Sequence, residues 1–353
     1  MALRAFTSVL IIACPCALSL ATPFAMGAAL RVLGRRRLYL KNAAVIETLS
    51  RADTLVFDKT GTLTDTQRAP VSFYGPALSC EDAQRVAALV QHSTHPLSQR
   101  LATHLGPADC AVEAYAETPG QGISGLVAGT RVRVGSAAFV GTATSEKASA
   151  EKHSRVHVAL NGAPAGCYDI RSQYREHLPK LLEQLGQRYQ LALLTGDNNA
   201  DVIPLRQLFG AGAELRFQQS PLDKLAYVEA LQQQGRRVVM IGDGLNDAGA
   251  LQRADVGIAL TETLTNFSPA CDAILEAGSF GRLATILRFA RDCRYIVLAT
   301  FGLSFCYNGI GLSLAVQGLL TPIASAILMP ISSLSVMVFA TLLVRYAAHR
   351  RGL

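Results

Sequence analysis

The sequence contains no tryptophan, and its 8 cysteines are scattered through 353 residues without a Cys-x-x-Cys pair. That is too sparse for a disulfide scaffold. Only Cys14 and Cys16 stand close together, and the others read as ordinary reduced thiols. Glycine (29) and proline (14) follow no period, which excludes a collagen-like or low-complexity chain. Charged residues make up 17% and hydrophobic residues 50%, which excludes intrinsic disorder. The chain must bury a core or meet lipid, and its length suits about two domains. The net charge of +7 comes without a dense Lys/Arg tract interleaved with aromatics, so no nucleic acid is expected as a partner.

Charge is missing altogether from two stretches. Residues 5–30 carry none between Arg4 and Arg31, and about 20 apolar residues suffice for a helix to span a bilayer. A signal peptide has a shorter apolar region and a small-residue cleavage site, so a transmembrane helix over 5–30 is the better reading. Residues 295–344 form a second charge-free run, broken near Gly318 and Pro322, which predicts two more membrane helices joined by a tight turn. Basic residues flank every span: Arg31, Arg35, Arg36, Arg37 and Lys41 after the first, Arg282, Arg288, Arg291 and Arg294 before the second, Arg345, Arg350 and Arg351 after the third. Three crossings put all of them on one side, the cytoplasmic side by the positive-inside rule.

Between the spans, Thr54–Phe57, Gln190–Leu194, Arg237–Ile241 and Val256–Leu260 read as strands of an α/β parallel sheet. Three of them end at polar clusters, Asp58-Lys59-Thr60-Gly61-Thr62, Thr195-Gly196-Asp197 and Gly242-Asp243-Gly244-Leu245-Asn246-Asp247. Such sheets carry their chemistry at the carboxyl ends of the strands. Separate strand-like pieces at Val132–Gly135 and Arg155–Leu160 predict an inserted domain over 67–166, leaving the sheet domain discontinuous, 31–66 and 167–285.

An aspartate directly after a buried strand, with a lysine beside it, is a candidate covalent nucleophile toward a phosphoryl group; Asp58 is that residue. Phosphoryl transfer needs cations around the spread of oxygen charge, so Asp243 and Asp247 are expected to help hold Mg2+, and Lys224 to supply an ammonium.

The heptamer Asp58-Lys59-Thr60-Gly61-Thr62-Leu63-Thr64, together with the other two clusters, resembles the P-type ATPases of the haloacid-dehalogenase superfamily. The resemblance implies a haloacid-dehalogenase-like (Rossmannoid) α/β phosphorylation domain, an inserted α+β nucleotide-binding domain and three transmembrane helices. It implies ATP and Mg2+ as cofactors, with Asp58 phosphorylated by ATP. Asp58, Lys59, Thr60, Thr195, Gly196, Asp197, Lys224 and Asn246 become the expected catalytic set, and Asp58, Thr60, Asp243 and Asp247 the Mg2+ site. Soluble phosphatases of the superfamily carry a second Asp where this chain has Thr60, so its phosphoenzyme is expected to persist, which favours a pump. His95, Pro96, Gly120 and Gly122 resemble the nucleotide-domain motifs of the heavy-metal subgroup. Val90 and Ser172 depart from that pattern, where acidic residues are expected.

Pro15 in the first apolar run removes a backbone donor and opens the helix locally, so Cys14 and Cys16 share an unwound turn. Cys14-Pro15-Cys16 resembles the ion site of heavy-metal pumps, and soft sulfur ligands select Cu(I), with Zn2+ the alternative. Tyr307, Asn308, Met329 and Ser332 resemble the additional residues of the copper branch, whereas zinc-type relatives place a Lys and an Asp in these helices. The implied function is ATP-driven Cu(I) export across a bacterial inner membrane with the catalytic domains in the cytoplasm. A kinship with pumps serving cbb3-type oxidase assembly is also implied. Copper ion, ATP and lipid bilayer are the expected partners, alongside a copper chaperone and a separate chain carrying what is missing. No Thr-Gly-Glu occurs in the sequence, so the chain resembles only the C-terminal half of such a pump and is expected to be a fragment or truncated reading frame. The alternatives are a membrane-tethered phosphatase of the same superfamily and a non-catalytic copper-binding remnant.

Overall fold

The structure, a computed structural model, describes residues 2–14, 16–65, 70–93, 95–118, 120–142, 154–170, 173–197, 201–244, 247–262 and 271–353. The chain divides into two compact units, one formed by residues 1–62, 177–197 and 206–353 and the other by 63–176 and 198–205.

The first unit is built on a seven-stranded sheet. In spatial order its strands are Leu38–Leu40, Ala273–Glu276, Val256–Thr261, Val238–Gly242, Thr54–Asp58, Gln190–Leu194 and Glu214–Arg216, and only Leu38–Leu40 runs antiparallel. Every residue of Thr54–Asp58 and Val238–Gly242 is buried, as expected of central parallel strands covered on both faces. The four strands expected from the sequence are present, each within a residue at either end. Helix Pro221–Gln233 starts on a capping box in which Ser220 and Asp223 satisfy each other's backbone N–H. That fixed start carries Lys224 in the first turn, buried despite its charge.

The second unit is a six-stranded antiparallel sheet, Val71–Tyr74, Ala163–Ile170, Ser154–Leu160, Thr130–Gly135, Gly122–Val127 and Val112–Thr118. Leu89, Leu101, Ile123, Val132 and Val158 form its core with helices Cys80–Gln91 and Pro96–Leu105. Strand Ala163–Ile170 crosses the boundary expected at 166, because its last residues pair with Val71–Tyr74 on one side and with Ser154–Val156 on the other. The inserted sheet therefore ends at Ile170.

Two helices among the described residues, Leu283–Val316 and Pro322–Arg350, are long and apolar enough to cross a membrane, with a turn at Gly318 between them. The first begins twelve residues before the apolar run; its early part buries Leu283, Ile286, Leu287, Phe289 and Ala290 in the catalytic unit. Farther along, Phe305 (80% exposed) and Ile310 turn outward, as a lipid-facing surface would. The first apolar run, expected as one span over 5–30 opened locally at Pro15, forms two helices, Ala2–Ile12 and Cys16–Arg35, separated at Cys14. A proline at position 15 supplies no N–H to the ladder and its ring excludes the carbonyl four residues earlier, so a continuous helix is costly there.

Candidate functional site

Three adjacent parallel strands deliver the polar clusters to one edge of the sheet. Asp58 ends the central strand, Thr195 follows one neighbour and Asp243 follows the other. Lys224 reaches over this edge: its Nζ donates to Asp58 Oδ1 and to Asp247 Oδ1, at 2.6 Å each. Lys59 turns the other way and pairs with Asp197 Oδ2 at 2.6 Å. The Asp197 N–H donates to Thr195 Oγ1 at 3.1 Å, tying the second cluster into a tight turn at Gly196. Gly61 sits at φ +73°, and a Cβ there would lie 3.1 Å from Asp243 Cβ, so this glycine answers to both conformation and space. Thr60 is exposed and extended beside it. Asn246 and Ser172 lie outside the described residues.

The electrostatics of this edge are unbalanced. Asp58 is 4% exposed, and burial first, then the Asp247 carboxylate, push its pKa up to about 8; Lys224 opposes them and Asp243 adds to the rise. Burial pulls the Lys224 ammonium down, but Asp58 and Asp247 reverse this and hold it above its ordinary value. Lys224 thus bridges two buried carboxylates, Asp243 stands near enough to raise the Asp58 pKa further, and Asp247 Oδ2 is buried without a hydrogen-bond partner. Hard oxygen donors with uncompensated negative charge suit Mg2+. Among the described residues no group of three or more His, Cys, Asp or Glu is arranged as a ligand cage, since the carboxylates close on Lys224 instead.

The second unit contains a cavity of about 240 Å3 lined by His95, Gly120 and Gly122. That is below the roughly 300–1,000 Å3 of pockets for drug-sized ligands. His95 caps helix Pro96–Leu105, its Nδ1 accepting from the Leu97 N–H at 3.3 Å. Gly120 holds φ +71° in the turn before strand Gly122–Val127. Gly122 is required by crowding, because a Cβ would lie 2.4 Å from the Val134 carbonyl oxygen. Ser93, Glu117, Ser136 and Arg155 line the cavity as well, and the sequence reading missed them. Ser136 directly follows a strand and Glu117 is the last residue but one of another, which is the signal that could have found them. Val90 is fully buried in the core, where a carboxylate would be unfavourable. The Pro96 side chain lies outside the described residues.

In the apolar helices, Cys14 is half-buried at the helix break. The Cys16 side chain lies outside the described residues. Asn308 and Met329 are half-buried, whereas Tyr307 is 39% exposed. The Ser332 and Ser333 hydroxyls donate to the Met329 carbonyl at 2.7 and 3.1 Å, so both are engaged within their own helix.

Residues 52–255 match the family model of the haloacid dehalogenase-like hydrolases. A copper-exporting P-type ATPase of Mycobacterium tuberculosis is 33% identical over 344 residues, 94% of this chain and 45% of that protein. A manganese-exporting P-type ATPase of Mycobacterium bovis is 30% identical over 367 residues, 98% of this chain and 51% of the other. The chain spans about half the length of the curated relatives it matches. Among solved structures, a zinc-transporting PIB-type ATPase in the E2.Pi state superposes with a TM-score of 0.63 at 27% identity, over 94% of this chain and 56% of that one. The catalytic domain of the CPx-ATPase CopB-B does so with a TM-score of 0.58 at 27% identity, over 73% and 98%.

Proposed function

Since the chain belongs to the haloacid dehalogenase-like hydrolases and, within them, to the P-type ATPases, we propose that it carries the phosphorylation, nucleotide and ion-binding steps of ATP-driven Cu(I) export. The supporting observation is the buried Lys224 ammonium bridging Asp58 and Asp247 at the edge where three strands deliver their polar clusters.

In this reading an Asp58 oxygen attacks the γ-phosphorus of ATP. The bond to the β,γ-bridging oxygen breaks, and ADP leaves with that electron pair. Lys224 stands beside the attacking oxygen, where its charge offsets what gathers on the phosphoryl group. Lys59, held by Asp197, is the second cation of the edge. Asp243 and Asp247, with Asp58 and Thr60, would hold Mg2+, which lowers the charge on the transferring group when bound. Its charge also favours the ionised form of Asp58, which burial otherwise disfavours. The cavity at His95, Gly120 and Gly122 takes the base of the nucleotide. Exposed Thr60 places no acid next to Asp58, which favours a lasting aspartyl phosphate over the turnover of a soluble phosphatase.

Cu(I) is the proposed cargo because Cys14, Cys16 and Met329 offer soft sulfur, with Tyr307, Asn308 and Ser332 adding neutral oxygens. The relatives named above include exporters or transporters of copper, manganese and zinc, so cargo is tested directly. Titration of the reduced chain in detergent with Cu(I), Mn2+ and Zn2+ against a competing chelator is expected to show tight Cu(I) binding that is lost in Cys14→Ser. Tight Mn2+ binding unaffected by Cys14→Ser would overturn the copper assignment.

A further inference from the structure

Where helix Leu283–Val316 leaves the catalytic sheet, it borders a cavity of about 490 Å3 shared with the residues between helix Leu178–Gly186 and strand Gln190–Leu194. Arg188, Arg288, Arg291 and Arg351 line it against a single carboxylate, Asp292, which Arg351 already engages through Nε at 2.7 Å and Nη2 at 3.1 Å. Tyr189 completes the wall. It is 6% exposed, the Arg291 guanidinium stands 5.6 Å over its ring, and its hydroxyl is buried without a hydrogen-bond partner. Burial raises the pKa of that hydroxyl against the pull of Arg188 and Arg288, so it keeps its proton as a donor.

Nothing in the phosphoryl-transfer chemistry uses this cluster. An excess of guanidinium groups around an unpaired buried donor is the chemistry of a phosphate site, since arginine matches phosphate oxygens two at a time. Its place in the chain narrows the source. Tyr295, 64% exposed on the cavity rim, is the first residue of the charge-free run, and Arg351 directly follows the other long helix. The cavity therefore lies where both long helices change from charged to apolar sequence. We propose that it binds the phosphate of an anionic phospholipid headgroup, with the acyl chains against the exposed apolar surface that begins at Tyr295. The proposal rests on reading the two long helices as membrane spans.

The test uses the full chain in nanodiscs of phosphatidylcholine alone or mixed with phosphatidylglycerol, with retained lipid identified by native mass spectrometry. Phosphatidylglycerol should be retained selectively. Retention should fall about fivefold for each charge removed in Arg288→Gln and Arg291→Gln, in line with the worth of one basic residue at an anionic surface. It should fall less in Tyr189→Phe, which keeps the packing, and recover only in part in Arg288→Lys, which keeps the charge but not the paired donors. Equal retention of both lipids, or retention indifferent to these variants, overturns the proposal. Displacement of phosphatidylglycerol by inorganic phosphate would make the cavity a free-anion site and overturn the lipid assignment. A chain that fails to insert even into pure phosphatidylcholine overturns the membrane reading along with it, whereas insertion without lipid selectivity overturns this proposal alone.

Discussion

Lys224 faces two buried carboxylates at 2.6 Å each, so the loss of its charge is felt twice. In Lys224→Met both Asp58 and Asp247 are left uncompensated. Removing one partner of a buried ion pair costs about 3–5 kcal/mol, and thermal unfolding should show this loss at pH 8 and less of it at pH 5, where the carboxylates can protonate. A second prediction follows from Asp58 itself. Its pKa is raised from 3.8 to about 8 in the fold, so the folded chain holds the proton more tightly than the unfolded one. The stability this gives is complete below about pH 4 and is lost as pH rises toward 8. In metal-free, nucleotide-free detergent, Asp58→Asn should match the native chain near pH 4 and melt higher above pH 8; parallel pH profiles would contradict the argument. The heptamer announced Asp58 in the sequence because its chemistry is local. The bridge was not legible, since Lys224 lies 166 residues from Asp58 and 23 from Asp247, and only the fold sets which carboxylates it meets.

At the scale of elements, the two glycines of the cavity at His95 should respond differently. A Cβ at Gly122 would press into the Val134 carbonyl at 2.4 Å, whereas at Gly120 nothing lies within 4 Å and only the φ of +71° is unfavourable. Gly122→Ala should therefore disturb the pairing of strands Gly122–Val127 and Thr130–Gly135, lowering stability by about 1–3 kcal/mol and weakening nucleotide binding. Gly120→Ala should cost about 1 kcal/mol and leave binding nearly intact; calorimetric titration with an ATP analogue separates the two. Buried parallel strands were readable because their apolar runs end at Asp or Gly. The end of the inserted sheet was misplaced at 166, because Ala163–Ile170 becomes a strand through distant partners, Val71–Tyr74 and Ser154–Leu160, rather than through its own pattern. In the first apolar run hydropathy carries the length, and Pro15 carries the local opening. The division into Ala2–Ile12 and Cys16–Arg35 follows from backbone chemistry at one proline.

For the whole molecule, a single chain joins the proposed nucleophile Asp58, a cavity of about 240 Å3 at His95 and long apolar helices. In the proposed reading helix Leu283–Val316 links chemistry to membrane, since it is buried against helices Ala44–Arg51 and Leu178–Gly186 at its start and outward-facing farther along. Coupling in this reading means that what binds among the apolar helices changes what happens at Asp58. The most direct measurement is transfer of labelled γ-phosphate from ATP and Mg2+ to the reduced, membrane-reconstituted chain, with and without Cu(I), beside Asp58→Asn and Cys14→Ser. The account predicts an acid-stable, hydroxylamine-labile phosphoprotein that is absent in Asp58→Asn and loses its copper dependence in Cys14→Ser. Label that persists in Asp58→Asn, or a chain that binds nucleotide and Cu(I) yet takes up no label, would contradict it.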